Sequence, residues 1–211
     1  MHPVLGLLVA YVLGSMPFAY IAGRRAKGID LREHGSGNLG ATNVFRMLGW
    51  KVAVPVLLLD AAKGALPVLI LPRLVETTDP VVWAMAYGVA AIAGHVRPLF
   101  LLWRGGGKGV ATAAGVFLAL APISLLLVTV LFAVVLWTSG YVSLGSLVSA
   151  AALPLAVLFE KGADSPILWM SIPLALFVFW THRANIGRLR RGEEHRFGKK
   201  KPAANAPGAG R

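Results

Sequence analysis

Two glycine-rich segments of this sequence carry side chains that are suited to bind anions. The first is GSGNLGATNVFR at residues 35–46. Its glycines allow consecutive backbone N–H groups to approach an anion, and Arg46 supplies a planar guanidinium that suits phosphate. Hydroxyl and amide side chains add further donors. The residues expected to contribute are Ser36, Gly37, Asn38, Gly40, Thr42, Asn43 and Arg46. The alternative is a flexible loop whose glycines only interrupt the neighbouring helices.

The same segment matches the dinucleotide-binding fingerprint in its glycine spacing. Gly35, Gly37 and Gly40 have the required separation, and Asp60 follows 20 residues after Gly40. The fingerprint has meaning only between a strand and a helix of a parallel sheet. Here the segment lies between two apolar blocks of membrane-helix length, so a dinucleotide site is excluded.

The second segment, RGGGKGVAT at residues 104–112, places Gly106, Gly107 and Lys108 just before a predicted helix. It is not a Walker A loop, because that motif needs glycine at position 102 and Ser or Thr at 109, where this chain has Leu102 and Gly109. Glycines around a lysine at a helix start still favour an anion site. The alternative is a basic turn that contacts lipid headgroups.

A third polar group follows the last apolar block, at residues 182–194. His182 and Asn185 are three residues apart and therefore share one face of a helix, with Arg188 close by. Together they could reach a phosphate or hydroxyl group at the membrane surface. A lone histidine is more often structural, and it is the company of Asn185 and Arg188 that favours a functional role.

The composition identifies the elements that must position these groups. Of 211 residues, 56% are hydrophobic and 14% are charged, whereas soluble domains carry about a quarter charged residues. Roughly 20 apolar residues span a bilayer. The sequence therefore predicts an all-α integral membrane protein. The apolar blocks are residues 4–21, 52–75, 81–103, 110–137, 142–159 and 167–180.

The basic residues predict the topology. They concentrate in residues 24–51, in 97–108 and in the tail from Arg183, and Lys and Arg collect on the cytoplasmic side of membrane proteins. Block 110–137 has 28 residues and contains Pro122, which ends or kinks a helix. A split there gives seven transmembrane helices, with the N-terminus outside and the C-terminus cytoplasmic. This pattern already explains the net charge of +12, so no nucleic-acid partner is expected.

Two charged residues lie inside the second block. Asp60 and Lys63 are three residues apart, and intramembrane charges are costly unless they are paired or functional. Their spacing allows them to pair with each other, in either a structural role or a role that supports the site. We treat residues 1–197 as one membrane domain, and residues 198–211 as a basic, disordered tail.

With these motifs in order, the chain resembles the bacterial acyl-phosphate:glycerol-3-phosphate acyltransferases, the PlsY family. The resemblance extends to Phe197. The matching pieces are GSMPFAYI at 14–21, GSGNLGATNVFR at 35–46, DAAKG at 60–64, Gly94-His95 with Pro98, GGKGVAT at 106–112, YVSLGS at 141–146 and the run 182–194. Two positions depart from the family pattern, namely Leu39 where proline is usual and a third glycine before Lys108.

The resemblance implies a reaction. A fatty acyl group passes from acyl phosphate to the 1-hydroxyl of sn-glycerol 3-phosphate, and gives lysophosphatidic acid and inorganic phosphate. It also implies a multi-pass protein of the bacterial cytoplasmic membrane that needs no cofactor and no metal. Its partners would be the two substrates, the lipid bilayer and the soluble enzyme that makes acyl phosphate.

The resemblance also implies roles for individual residues. Residues 36–43 would bind the phosphate of acyl phosphate, and Arg46 would lie between the two phosphates. Glycerol 3-phosphate would be bound by Arg46, Gly106, Gly107, Lys108, Ser143, Ser146, His182 and Asn185. The catalytic set would be Ser36, Arg46, His182 and Asn185, with either His182 or the departing phosphate as the base. Glu194 would be structural, paired with an arginine of its own segment.

The alternative from another class is a transporter of an organic phosphate or other anion. Broken helices whose glycine-rich ends face an anion are typical of transporters. Two features disfavour it, since all the polar motifs are predicted at one membrane surface and no internal repeat is visible. An acyl-CoA-type acyltransferase is disfavoured as well, because no histidine here has an aspartate five residues later.

Overall fold

A computed structural model describes residues 2–197 of the chain. Within this range the regular structure is helical, with two short 3-10 turns at Leu71–Leu74 and Leu99–Leu101. The α-helices are α1 (Pro3–Gly14), α2 (Phe18–Lys27), α3 (Ala41–Leu48), α4 (Trp50–Ile70), α5 (Pro80–Val96), α6 (Val110–Leu120), α7 (Pro122–Ser139), α8 (Val142–Lys161), α9 (Pro166–Thr181) and α10 (Arg183–Arg190). The predicted tail at 198–211 lies outside the described residues.

Five helical segments in the described part are long and apolar enough to cross a membrane. They are Pro3–Lys27, Trp50–Leu74, Pro80–Leu101, Pro122–Ser139 and Val142–Lys161. The pair α9 and α10, bent by 59°, gives a sixth if it is counted as one span. The fold is therefore that of a helical integral membrane protein. Helix α6 is apolar but has only 11 residues, so length and composition alone do not reach the seven spans predicted from the sequence.

The predicted break at Pro122 is present. Helix α6 ends at Leu120 and α7 begins at Pro122, where the missing N–H of proline costs nothing because the first helical N–H groups have no partner within the helix. From α8, the Glu160 carboxylate accepts hydrogen bonds from the backbone N–H and the hydroxyl of Ser124, both at 2.6 Å. An anion at a helix N-terminus is favourable, so Glu160 stabilises the start of α7.

The first apolar block is also interrupted, a break that was not predicted from the sequence. It divides into α1 and α2 at residues 15–17. The Lys63 ammonium of α4 donates to the carbonyl of Met16 at this break, at 2.8 Å, and it also pairs with the Asp60 carboxylate at 2.8 Å. The Asp60–Lys63 pair that the sequence spacing allows is therefore present. Its cation satisfies a backbone group that the broken helix leaves exposed.

Small residues let α6 pack closely against α4. A Cβ atom added to Gly64 would lie 2.1 Å from the carbonyl oxygen of Thr112, and one added to Gly115 would lie 1.8 Å from that of Ala61. Small residues at such contacts allow helix backbones to approach in a membrane. This packing fixes the short helix α6, and with it the position of Lys108 just before its first turn.

Candidate active site

The polar motifs meet around one cavity of about 310 Å³ at one end of the helix bundle. Four parts of the chain contribute to it: the loop before α3 with α3 itself, the start of α6, the start of α8, and the junction of α9 and α10. The lining residues are Ser36, Gly37, Asn38, Thr42, Asn43, Arg46, Lys108, Val110, Val142, Ser143, Ser146, Thr181, His182, Ala184, Asn185, Arg188 and Glu194.

Asn43 holds one wall of the cavity in shape. Its side-chain oxygen accepts from the backbone N–H of Ser36 at 2.9 Å. Its amide nitrogen donates to the carbonyls of Leu31 and His34 at 3.1 and 3.0 Å. Both donors of Asn43 are thus engaged within the loop. Asn43 was expected to offer its N–H groups to an anion. In the structure its side chain instead fixes Ser36 at the cavity.

Arg46 reaches the cavity from the short helix α3. Thr42 and Arg46 are four residues apart and so lie on the same helix face, and both line the cavity, while Val44 is buried away from it. The Arg46 side chain is exposed at the cavity mouth. Arg46 therefore lines the same cavity as Ser36 and Thr42 of its own segment.

Lys108 lies just before α6 and lines the same cavity as Arg46. Its ammonium donates a hydrogen bond to the side-chain oxygen of Asn185. Burial is the main cause that lowers the pKa of Lys108, to about 8, and repulsion from Arg188 and Arg46 acts in the same direction, against the attraction of Glu194. Lys108 is consequently charged at neutral pH and close to the range in which it loses that charge.

Three predicted ligands, Gly40, Gly106 and Gly107, are not among the residues that line the cavity. The N–H of Gly107 donates to the carbonyl of His95 at 3.2 Å, and a Cβ atom on Gly107 would lie 1.8 Å from the His95 ring nitrogen Nε2. Gly106 and Gly107 therefore allow the loop before α6 to pack closely on the end of α5. His95 Nδ1 lies 3.6 Å from the Asp60 carboxylate, which joins this packing to the buried charge pair.

His182 lies at the junction between α9 and α10. Its Nδ1 is 2.8 Å from the carbonyl oxygen of Val178. Because a carbonyl can only accept, Nδ1 carries the proton in this contact and Nε2 is left with a lone pair. Burial, with a smaller contribution from the positive charge of Lys108, lowers the pKa of His182 to about 4. The ring is therefore neutral at pH 7, with Nε2 as a hydrogen-bond acceptor.

The buried Glu194 carboxylate connects the remaining polar groups. One oxygen accepts from the hydroxyl of Ser143 at 2.9 Å and from the amide of Asn185 at 2.7 Å. The other oxygen accepts from Arg188 Nε at 2.6 Å. Burial alone would raise the pKa of Glu194, but these hydrogen bonds outweigh it and hold the pKa below its usual value. Glu194 is thus an anion that orients Asn185 toward Lys108.

The contacts of Glu194 agree with the expected pairing to an arginine of its own segment, but its position in the cavity was missed. Arg188 was noted and was not assigned as a ligand. The available signal was an acidic pair, Glu193-Glu194, within a strongly basic run. Of the two serines predicted as ligands, Ser143 contacts Glu194, whereas the Ser146 hydroxyl donates to the carbonyl of Val142 at 3.0 Å.

The arrangement is that of a helical membrane protein with a cationic cavity suited to phosphate. Three cationic side chains, Arg46, Lys108 and Arg188, line one cavity, and charge-assisted hydrogen bonds from such groups are the strong ones for phosphate. A neutral histidine and several hydroxyl groups share the space. The cavity can therefore hold anionic groups beside a neutral imidazole.

Comparison with known proteins identifies the family. The family model described as glycerol-3-phosphate acyltransferase matches residues 4–192. The glycerol-3-phosphate acyltransferase of Geobacter sulfurreducens is 47% identical over 190 residues, which cover 90% of this chain and 94% of the relative. The chain belongs to the glycerol-3-phosphate acyltransferase family.

Two solved structures have the same fold. They are crystal structures of PlsY, an integral membrane glycerol 3-phosphate acyltransferase. Its glycerol 3-phosphate form superposes with a TM-score of 0.84 at 38% identity and covers 93% of this chain and 96% of that one. Its lysophosphatidic acid form gives a TM-score of 0.81 at 37% identity, with coverages of 93% and 95%. The similarity thus extends through nearly the whole described fold.

The pKa of Lys108, at about 8, predicts a pH dependence of anion binding. The ammonium is charged below this pKa and neutral above it, so the affinity for inorganic phosphate should fall as pH rises from 8 to 9.5. His182 remains neutral throughout that interval, because its pKa is about 4. The measurement is the dissociation constant of phosphate for the purified protein at each pH.

Lys108→Arg is the matched control, because a guanidinium keeps its charge over the whole interval. Its affinity should change less with pH than that of the wild type. Equal pH profiles for the two proteins would contradict the assignment of the titration to Lys108.

Proposed function

We propose that the protein transfers a fatty acyl group from acyl phosphate to the 1-hydroxyl of sn-glycerol 3-phosphate. The observation that carries the proposal is that two sets of anion-binding residues line one cavity, in a chain of the glycerol-3-phosphate acyltransferase family. We name the residues from the 36–46 segment the 36–46 wall, and Lys108 with Ser143, His182 and Asn185 the Lys108 wall. Two phosphate-bearing reactants need two neighbouring sets of anion-binding groups. The PlsY structures in their glycerol 3-phosphate and lysophosphatidic acid forms support the acceptor and the product.

The two walls divide the substrates between them. Ser36, Gly37, Asn38 and Thr42 bind the phosphate of acyl phosphate, on the loop whose shape Asn43 maintains. Lys108, with Ser143, His182 and Asn185 beside it, binds glycerol 3-phosphate. This assignment is supported by the hydrogen bond from Lys108 to Asn185, which the Glu194 carboxylate orients. Arg46 lies at the mouth between the two walls and contacts both phosphates.

In the transfer, the 1-hydroxyl oxygen attacks the acyl carbonyl carbon. A carbon–oxygen ester bond forms, the bond from the acyl carbon to the phosphate oxygen breaks, and inorganic phosphate leaves. The hydroxyl proton goes either to Nε2 of His182 or to the departing phosphate. A mixed anhydride has a good leaving group, so positioning and charge neutralisation supply most of the acceleration. Arg46 and Lys108 provide the neutralising charge.

The protein crosses the membrane seven times in this proposal. Lys108 at the start of α6 and Ser143 at the start of α8 line the same cavity, so α6 and α7 together leave that end of the bundle and return to it. Helix α6, with 11 residues, is about 16 Å long and counts as a short crossing. The N-terminus is then outside and residue 197 is at the cavity end.

The cavity faces the cytoplasm of a bacterial cell in this arrangement, because the basic segments collect there. Acyl phosphate made by a soluble enzyme can reach it from that side. The broken helices would also suit a transporter. The acyltransferase is favoured over it because the polar groups open at one end of the bundle rather than near its middle.

The direct test of the proposal is an acyl-transfer assay with purified protein. Palmitoyl phosphate and glycerol 3-phosphate should give lysophosphatidic acid and phosphate, while palmitoyl-CoA should be inactive as donor. Chelators should leave the rate unchanged, because no group of three His, Asp or Glu residues within 2–197 is placed to hold a metal. Activity with palmitoyl-CoA and none with palmitoyl phosphate would contradict the proposal.

Substitutions in the two walls should affect different kinetic constants. Lys108→Ala should mainly raise the KM for glycerol 3-phosphate, at a cost of about 1.5–3 kcal/mol for a charge-assisted hydrogen bond. Arg46→Ala should mainly lower kcat, because the charge between the reactants develops in the transition state. Arg46→Lys should restore only part of the rate, since an ammonium lacks the planar fork.

The measurement is steady-state kinetics with both substrates varied, and Lys51→Ala, an exposed lysine outside the cavity, is the control. A Lys108→Ala variant that changes only the acyl phosphate KM would show that the walls are assigned the wrong way round. A fully active Arg46→Lys variant would contradict the role of the guanidinium.

Single cysteines test the seven-span topology, because the chain has no cysteine of its own. Exposed positions are available at both ends of the bundle. Lys51→Cys and Thr138→Cys should react with a membrane-impermeant thiol reagent only from the cytoplasmic side, and Thr78→Cys and Asp164→Cys only from outside. Labelling of Thr138→Cys from the side opposite to Lys51→Cys would rule out the α6–α7 crossing pair.

A further inference from the structure

The chain continues past α10 with a short segment, residues 193–197, which we name the C-terminal strap. The family model match ends at residue 192. The strap begins at the cavity, where Glu194 binds Ser143, and continues to the turn between α7 and α8. There, Arg196 Nε donates to the hydroxyl of Tyr141 at 3.1 Å, and the backbone N–H of Phe197 donates to the carbonyl of Gly140 at 2.7 Å.

The last residue of the strap also contacts the opposite wall. The Phe197 ring stacks on the ring of Phe45, with centroids 4.6 Å apart and planes at 20°. Phe45 precedes Arg46 on α3, a helix of eight residues that packs mainly against α2 and α4. The strap therefore joins α3, on one side of the cavity, to the α7–α8 turn on the other.

Arg46 depends on its helix for its position. Within residues 2–197 its guanidinium has no hydrogen-bond or ion-pair partner, and it lies exposed at the cavity mouth. Short helices have little stability of their own and are held by tertiary packing. Lys108 and Asn185, by contrast, are fixed through hydrogen bonds that end on Glu194.

We propose that Phe197 is a positioning residue, which holds α3 through Phe45 and so sets Arg46 opposite Lys108 and His182. This inference rests on the proposed function for its kinetic consequence. Loss of the ring loosens α3 and misplaces Arg46 in the transition state. Lys108 and Asn185, which bind glycerol 3-phosphate in the proposed function, keep their hydrogen bonds.

Kinetics of Phe197 variants test the proposal. Phe197→Ala should lower kcat by roughly three- to tenfold, in line with the contribution of one aromatic pair, and leave the KM for glycerol 3-phosphate nearly unchanged. Phe197→Trp keeps a stacking ring and should recover most of the rate. Phe159→Ala is the matched control, since Phe159 is 85% exposed near the far end of α8 and its loss should leave kcat as in the wild type.

A cross-link tests whether the two rings act by holding Phe45 of α3 close to Phe197. In Phe45→Cys/Phe197→Cys the two new thiols are the only ones in the chain. A short, reducible thiol cross-linker should raise kcat of this double variant toward the wild-type value, and reduction should lower it again. Wild-type kcat in Phe197→Ala, or a cross-link that leaves the rate of the double variant low, would overturn the proposal.

Hydrogen exchange separates this inference from the proposed function, because it does not depend on turnover. Amides of residues 41–48 should exchange faster in Phe197→Ala than in the wild type, and Phe197→Trp should restore their protection. A wild-type protein inactive with acyl phosphate would refute the proposed function and leave this readout intact. Unchanged exchange of these amides in Phe197→Ala would refute the positioning role of Phe197, whatever the activity.

Discussion

The arrangement of the cavity depends on the burial of one carboxylate. An unpaired charge in an apolar setting costs several kcal/mol, so a buried carboxylate is stable only when donors surround it. Glu194 has donors from Ser143 on α8 and from Asn185 and Arg188 on α10. Removal of any one of them leaves the others bound to a poorly solvated anion. The ends of two helices are thereby fixed, and Asn185 in turn fixes Lys108.

The cavity exists because several helices of the bundle are broken. The bend between α9 and α10 places His182 at a helix junction, and the stop before Pro122 makes α6 a short helix that begins beside Lys108. Each break exposes backbone groups that a membrane cannot solvate. Glu160 satisfies them at the start of α7 and Lys63 at Met16. Charges buried far from the cavity are thus part of what keeps it in shape.

The sequence predicted the elements better than the hydrogen bonds between them. Long apolar blocks and Pro122 indicated the helices and the α6–α7 break, and the three-residue spacing allowed the Asp60–Lys63 pair. The break at residues 15–17 was missed although Pro17 was an available signal for it, because residues 4–21 otherwise form one long apolar block. The seven-span count stays a prediction, since it depends on whether an 11-residue helix crosses the membrane.

The site was predicted as a set of residue types, and the structure differs in how those types are used. Asn43 and Gly107 were expected to offer N–H groups to a phosphate, but their donors are bound to backbone carbonyls. Glu194 was expected to be structural, and it is a hydrogen-bonding centre in the cavity wall. A sequence lists donors and acceptors, whereas their pairing depends on contacts between residues far apart in the chain, such as Ser143 and Glu194.

In the proposed function, both phosphates occupy one cavity, on either side of Arg46. The most direct measurement is a structure of this protein with a non-hydrolysable acyl phosphonate and glycerol 3-phosphate bound together. We expect the phosphonate to lie against Ser36 and Thr42 and the glycerol 3-phosphate to lie against Lys108 and Asn185. The Arg46 guanidinium should contact both ligands. A phosphonate bound outside the 36–46 loop, or two ligands that exclude each other from the cavity, would contradict it.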